Sequence, residues 1–238
     1  LTLVNRPPVR QLQTTGGRQA LRDAREGLRF MRRQPIVFGA ITLDLFAVLF
    51  GGLIALLPAI AENRLGVGAV GLGWLRASVG LGAVIVGLTM SVKPLRRHVG
   101  RVLLVAVAIF GVMTIVVGLT ENYAVAFVAL MVASGADAIS VFVRISLVPL
   151  ATPENMRGRV LAVENVFIGA SNELGAVESG LTAAAFGLVG ALVFGGIGTL
   201  AVVAIWWRFF PILRDVDRFD EVRKSGLDAA AEMGIGGD

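Results

Sequence analysis

Residues 124–150 read AVAFVALMVASGADAISVFVRISLVPL, residues 151–159 read ATPENMRGR, and residues 160–186 read VLAVENVFIGASNELGAVESGLTAAAF. Two apolar stretches, each long enough to cross a ~30 Å hydrocarbon core as a helix, are joined by a short polar turn. Charges sit inside both: Asp137 and Arg144 in the first, Glu164, Glu173 and Glu178 in the second. A charge facing lipid is expensive, so these positions predict an interior surface where charges are paired, hydrated or used.

Working outward, the whole chain repeats this pattern. Its 238 residues are 55% hydrophobic and 16% charged, with a mean hydropathy of +0.78. A soluble domain carries about 25% charged residues, so this composition predicts a membrane protein. The net charge of +5 would in a soluble protein suggest nucleic acid. Here the basic residues flank apolar segments instead of forming one face with interleaved aromatics, which excludes that reading and points to topology signals and anionic headgroups.

Cysteine is absent, which excludes a disulfide framework, a thiolate metal site and a cysteine nucleophile. The single histidine, His98, lies in the basic run Lys93-Pro94-Leu95-Arg96-Arg97-His98, where it reads as a solvated loop side chain. There is no G-x-x-x-x-G-K-[ST], H-E-x-x-H or G-x-S-x-G motif. No metal, cofactor or catalytic residue is expected, and the chain does not read as an enzyme.

In chain order, residues 1–17 have a linker composition, with Pro7-Pro8 and Gly16-Gly17. Residues 18–35 read as a basic amphipathic helix lying on the membrane surface: Leu21, Ala24, Leu28 and Met31 recur at helical spacing among Arg22, Arg25, Arg29, Arg32 and Arg33, and Pro35 stops it. Residues 36–208 form a transmembrane domain of six candidate spans, at 36–61, 69–92, 102–119, 124–148, 160–186 and 188–208; residues 209–238 form a cytoplasmic tail. Barrel strands would need dyad alternation, which these segments lack, so the fold class is an all-α membrane protein. Lysine and arginine concentrate before the first span, in 93–101, at Arg157 and Arg159, and after Trp206-Trp207-Arg208, whereas the intervening linkers carry Arg64 alone. That alternation places both ends of the segment in the cytoplasm.

Seven ionisable residues fall inside the spans: Asp44, Arg76, Asp137, Arg144, Glu164, Glu173 and Glu178. Five acids against two bases cannot all be paired, which leaves carboxylates for a cavity, a cationic ligand or a proton. Asp137 and Arg144, seven residues apart, share a helix face, as do Glu164 and Glu178, with Glu173 pointing nearly opposite. Asp44, Asp137, Arg144 and Glu173 are the primary candidates for a functional or gating role. Arg76, Glu164, Asn165, Asn172 and Glu178 are secondary: Glu164 lies near the cytoplasmic end, where it can snorkel or meet Arg157 or Arg159, Arg76 can pair with a neighbouring acid, and Asn165 and Asn172 can clamp helices. Gly66, Gly73, Gly80 and Gly87 recur every seven residues along the second span, with Ser78 and Gly82 nearby, a pattern for close helix approach, static or sliding.

Two stretches carry a family resemblance. Arg25-Glu26-Gly27-Leu28-Arg29-Phe30-Met31-Arg32-Arg33-Gln34-Pro35 looks like the end of a central cytoplasmic loop entering a seventh helix. Thr152-Pro153-Glu154-Asn155-Met156-Arg157-Gly158-Arg159-Val160, followed by Glu164-Asn165-Val166, is similar to the loop between helices ten and eleven. With six spans and cytoplasmic ends, the chain resembles the C-terminal half of a major facilitator superfamily transporter, nearest to bacterial drug and siderophore exporters of the enterobactin type. It departs from the pattern at 93–101, where only the Gly100-Arg101 end of the usual loop motif survives.

The resemblance implies two inverted three-helix repeats, a motif loop built on Pro153, Glu154, Arg157, Gly158 and Arg159, and a bacterial inner-membrane location. It also implies a missing N-terminal six-helix half as partner, beside the bilayer, protons and a small-molecule substrate. The expected function is proton-coupled efflux by alternating access. The rival, from another class, is a non-transporting membrane scaffold or accessory subunit whose buried charges hold helices together.

Overall fold

The computed structural model describes residues 17–224, so nearly all of the linker expected over 1–17, and the tail beyond Lys224, lie outside the described residues. The elements are α1 (Gly17–Arg33), α2 (Pro35–Phe50), α3 (Leu53–Ala59) continuing as a π-helical turn (Ile60–Arg64), α4 (Ala69–Val92), α5 (Val99–Leu119), α6 (Tyr123–Leu150), α7 (Glu154–Phe209) and α8 (Pro211–Arg214). A last helical turn follows at 219–224. No strand occurs among the described residues. Five helical segments there are long and apolar enough to cross a membrane: Pro35–Arg64, α4, α5, α6 and α7.

One boundary differs from the sequence expectation and another falls where expected, both at glycine. The first span is broken at Gly51-Gly52, between α2 and α3. A Cβ on Gly51 would lie 2.8 Å from the Phe110 ring and one on Gly52 would collide with Ser179, so the break is also where this helix packs closest. The fifth and sixth expected spans follow one another within α7 without a polar loop, and they meet where expected, at Gly187. Straight, this 56-residue helix would extend about 84 Å. It is not straight, because Gly187 adopts φ 75°, ψ 169°, a conformation open essentially to glycine alone, and divides α7 into arms 154–186 and 188–209.

Packing fixes the direction of each arm. A Cβ on Gly27 would lie 2.8 Å from the Arg159 carbonyl oxygen and one on Gly175 would lie 2.7 Å from that of Val48, so the first arm runs alongside α1 and α2 in the same sense. In the second arm Phe194 meets Phe50 with ring centroids 6.1 Å apart, and Trp206 donates its indole N–H to the Gly39 carbonyl at 2.9 Å. Rising residue numbers there meet falling ones on α2, so the arms are antiparallel.

The basic linkers converge on one end of the molecule. There α1 lies against Arg159, Gly100 lies under the Leu213 carbonyl, and His98 donates its backbone N–H to Asp217 at 3.0 Å. That bond, with His98, Arg97 and Arg218 beside it, holds the Asp217 carboxyl below its ordinary range. At the opposite end Arg64 donates to the Leu119 and Thr120 carbonyls, and Gly118 packs on Leu192. Each end has its own apolar core, one around Phe30, Leu43, Leu104, Leu147 and Leu213, the other around Leu57, Leu75, Leu130 and Leu192.

Helix α1 is docked on the bundle. Its Gly27, Phe30 and Met31 are buried against the bundle, while Leu21 and Ala24 stay exposed. On α4, close approach falls to Ser78 and Gly82, the latter under the Met131 carbonyl of α6, with Ser134 Oγ donating to Val79 at 2.6 Å. Gly73, Gly80 and Gly87 of the seven-residue repeat have open space where a Cβ would stand.

Candidate functional site

Three of the charges inside the spans come together. Asp44 from α2, Arg144 from α6 and Glu164 from the first arm of α7 form one buried cluster, with side chains 10%, 6% and 6% exposed. Arg144 Nη1 pairs with Asp44 Oδ2, and Arg144 Nε lies 3.2 Å from Glu164 Oε1. Within the described residues Nε and Nη1 of Arg144 and Oε1 of Glu164 make no hydrogen bond to any other group. Counted along their helices from the basic end, Asp44 and Glu164 lie about 14 to 15 Å in, roughly halfway across a ~30 Å core.

A narrow cleft, closed to a water molecule, runs beside the cluster between Ile41, Leu45, Phe167, Ile168 and Ser171. Apolar walls that leave no room for water raise the energy of any unpaired charge here. Two carboxylates face one guanidinium. With all three ionised the site carries one surplus negative charge, and a single proton removes it.

Asp44 and Arg144, expected on the pathway, are thus in contact. Glu164, expected to snorkel toward Arg157 or Arg159, instead turns inward to Arg144, because it lies on the same face as Val160, Val163, Ser171 and Gly175, all buried. Asp137 lies two turns from Arg144 on α6 and is exposed, outside the cluster. Glu173 is exposed on the far face of the first arm of α7, where Asn165, Gly169, Asn172, Ala176 and Gly180 are exposed with it. Glu178 is half-buried and accepts from Thr182 at 2.7 Å and Ser179 at 3.3 Å. Arg76 is exposed on α4, on the side that bears Gly73 and Gly80, and has no partner among the described residues.

The polar turn has a separate task. Glu154 opens α7, with Pro153 at its N-cap. Arg159 Nε contacts Asp23 at 3.1 Å and its Nη1 donates to Glu26 at 3.0 Å, which clamps α1 to α7. Arg157 is half-buried, and Gly158 is exposed with open space around it. Gly27, in the other motif stretch, lets the α1 backbone reach the Arg159 carbonyl. The two stretches that carry the family resemblance therefore touch.

The family comparison agrees with this architecture: residues 8–230 match the transmembrane secretion effector family of the major facilitator superfamily. The chain belongs to that family. Comparison with curated proteins and with solved structures gave no significant match. As a transmembrane secretion effector, the chain is a multi-pass membrane protein of transporter type, and its buried charges belong to a transport fold. The structure brings the secondary candidate Glu164 into contact with Arg144 and places Ser171, which sequence reasoning did not single out, beside them; a signal for Glu164 was its helical register with buried Val160 and Ser171.

Proposed function

We propose that this chain is the C-terminal six-helix half of a proton-coupled exporter, in which Asp44, Arg144 and Glu164 form the proton-responsive element. The observation that carries the reading is the buried cluster with one carboxylate more than its guanidinium can neutralise. In a dry site that surplus charge is costly, so a proton is bound when the site is occluded and released when water reaches it. Alternating access supplies that change of environment, and exchange of a proton for a cationic or neutral substrate follows from it.

The proposed topology has the α7 arms crossing separately, which with Pro35–Arg64, α4, α5 and α6 makes six crossings in two inverted three-helix repeats. The basic end faces the cytoplasm of a bacterial cell by the positive-inside rule. The exposed side with Arg76, and that with Asn165, Asn172 and Glu173, then face the N-terminal half across the substrate pathway, with Asp137 at its margin. Small polar and glycine-rich surfaces suit that position because they are poor lipid-facing surfaces. The substrate is a small molecule of the drug or siderophore class, as the family resemblance suggests.

The test is the full-length protein in liposomes with an imposed pH gradient and a panel of dyes and siderophores. Gradient-driven movement is expected for the native protein. Loss of gradient-driven movement with retention of downhill exchange is expected for Glu164→Gln. Unchanged gradient-driven transport in both Glu164→Gln and Asp44→Asn sinks the proton-coupling assignment, and no substrate movement by the native protein favours the scaffold.

A further inference from the structure

Helix α1 presents two opposed faces. One is docked: Gly27, Phe30 and Met31 are buried, and Asp23 and Glu26 are spent on Arg159. On the other, Arg22, Arg25, Arg29, Arg32 and Arg33 fall within roughly a third of the helix circumference at 100° per residue. All five are exposed, and with Leu28 and Glu26 they bound a shallow, open groove between the side chains of this one helix. Only Arg22 has an acidic partner, Glu26 at 3.4 Å; Arg25, Arg29, Arg32 and Arg33 have none among the described residues. Five guanidiniums thus share a groove with one carboxylate that Arg159 already engages.

We propose that this groove is a binding site for anionic phospholipid headgroups of the leaflet at the basic end. Position selects lipid over a soluble anion. Arg32 and Arg33 end α1, and Pro35 begins the first span two residues after Arg33, which puts this end of the arginine stripe at headgroup depth. Beside the stripe Leu21 is 74% exposed with Ala24 next to it, the apolar flank an interfacial helix buries among acyl chains. Guanidinium forks match phosphate oxygens in pairs, so several arginines in one groove hold a phosphodiester better than scattered lysines do. Because Arg159 ties α1 to α7, lipid held here bears on the end of the helix that carries Glu164.

The inference does not depend on proton coupling, and its test does not measure transport. The full-length protein, purified in a neutral detergent, is mixed with phosphatidylglycerol or phosphatidylcholine, and retained lipid is counted by native mass spectrometry. Native protein is expected to retain phosphatidylglycerol in preference to phosphatidylcholine. At about 1 kcal/mol per basic residue near an anionic surface, Arg25→Gln with Arg29→Gln and Arg32→Gln weakens that retention about 100-fold. Leu21→Ser, which leaves every charge in place, should weaken retention by a few-fold and serves as the check if the triple variant misfolds. Equal retention of the two lipids by native protein overturns the proposal, as does a folded triple variant with undiminished preference. Displacement of phosphatidylglycerol by millimolar inorganic phosphate also overturns it, since the groove would then serve a soluble anion.

Discussion

Arg144 is the residue on which the buried cluster turns, because it alone neutralises two acids on two other helices. Removing one acid and removing the base are therefore unequal changes. Asp44→Asn leaves a neutral pair, Arg144 with Glu164, whereas Arg144→Met leaves two carboxylates facing each other in a water-poor cleft. Breaking a buried pair from the unmatched side costs about 3 to 5 kcal/mol, so thermal unfolding of solubilised Arg144→Met should fall well below that of Asp44→Asn. Equal losses would mean that the cluster is wetter than its burial indicates. The charge imbalance was legible in the sequence, since five acids and two bases fell inside apolar stretches. The pairing was not, because its members come from three separate spans and nothing in one chain's order says which faces meet. Glu164 was misread toward Arg157 and Arg159, its neighbours in sequence, when its helix face turns it to Arg144.

Among the elements, the spans themselves were legible because a bilayer forces about 20 apolar residues into each crossing and forbids open backbone. Their joints were less so. Gly51-Gly52 interrupts a span without a polar turn, and hydropathy registers polarity, not backbone freedom, whereas the joint at Gly187 falls between the spans expected at 160–186 and 188–208. The glycine repeat on α4 shows the same limit: its spacing signals small side chains, and which of them touch a neighbour depends on where α6 lies. Gly82 carries the contact, under the Met131 carbonyl, so Gly82→Ala must push α4 and α6 apart. A loss of about 1 to 3 kcal/mol is expected, the usual range for overpacking. Gly80→Ala, with nothing near its Cβ, should leave the thermal midpoint unchanged or raise it slightly, by the helix propensity of alanine. If the two variants unfold alike, α4 does not pack on α6 by this face.

For the whole molecule, the decisive question is how many times the chain crosses the bilayer. A 56-residue helix cannot cross once without leaving tens of ångströms of apolar surface in water, since about 20 residues fill the core. The bend at Gly187 resolves this by returning the chain, so that Trp206 reaches Gly39 at the end where α2 begins. The two ends also sort by charge: 93–101, Arg157, Arg159 and Arg214 gather at one, and Arg64, 119–123 and Gly187 at the other. The chain has no cysteine, so with any cysteine of the proposed N-terminal half replaced, single cysteines can be placed on a silent background. Arg96→Cys and Gly158→Cys should be shielded in intact cells from a membrane-impermeant maleimide and react after permeabilisation. Asn122→Cys and Phe186→Cys, the latter next to the bend and exposed, should react in intact cells. Protection of Phe186→Cys together with labelling of Asn122→Cys would place the bend inside the bilayer or on the cytoplasmic side, and the six-crossing topology would fail. Labelling of both, with Arg96→Cys and Gly158→Cys shielded, requires each arm of α7 to span the membrane, because the bend and the two α7 ends then lie on opposite sides.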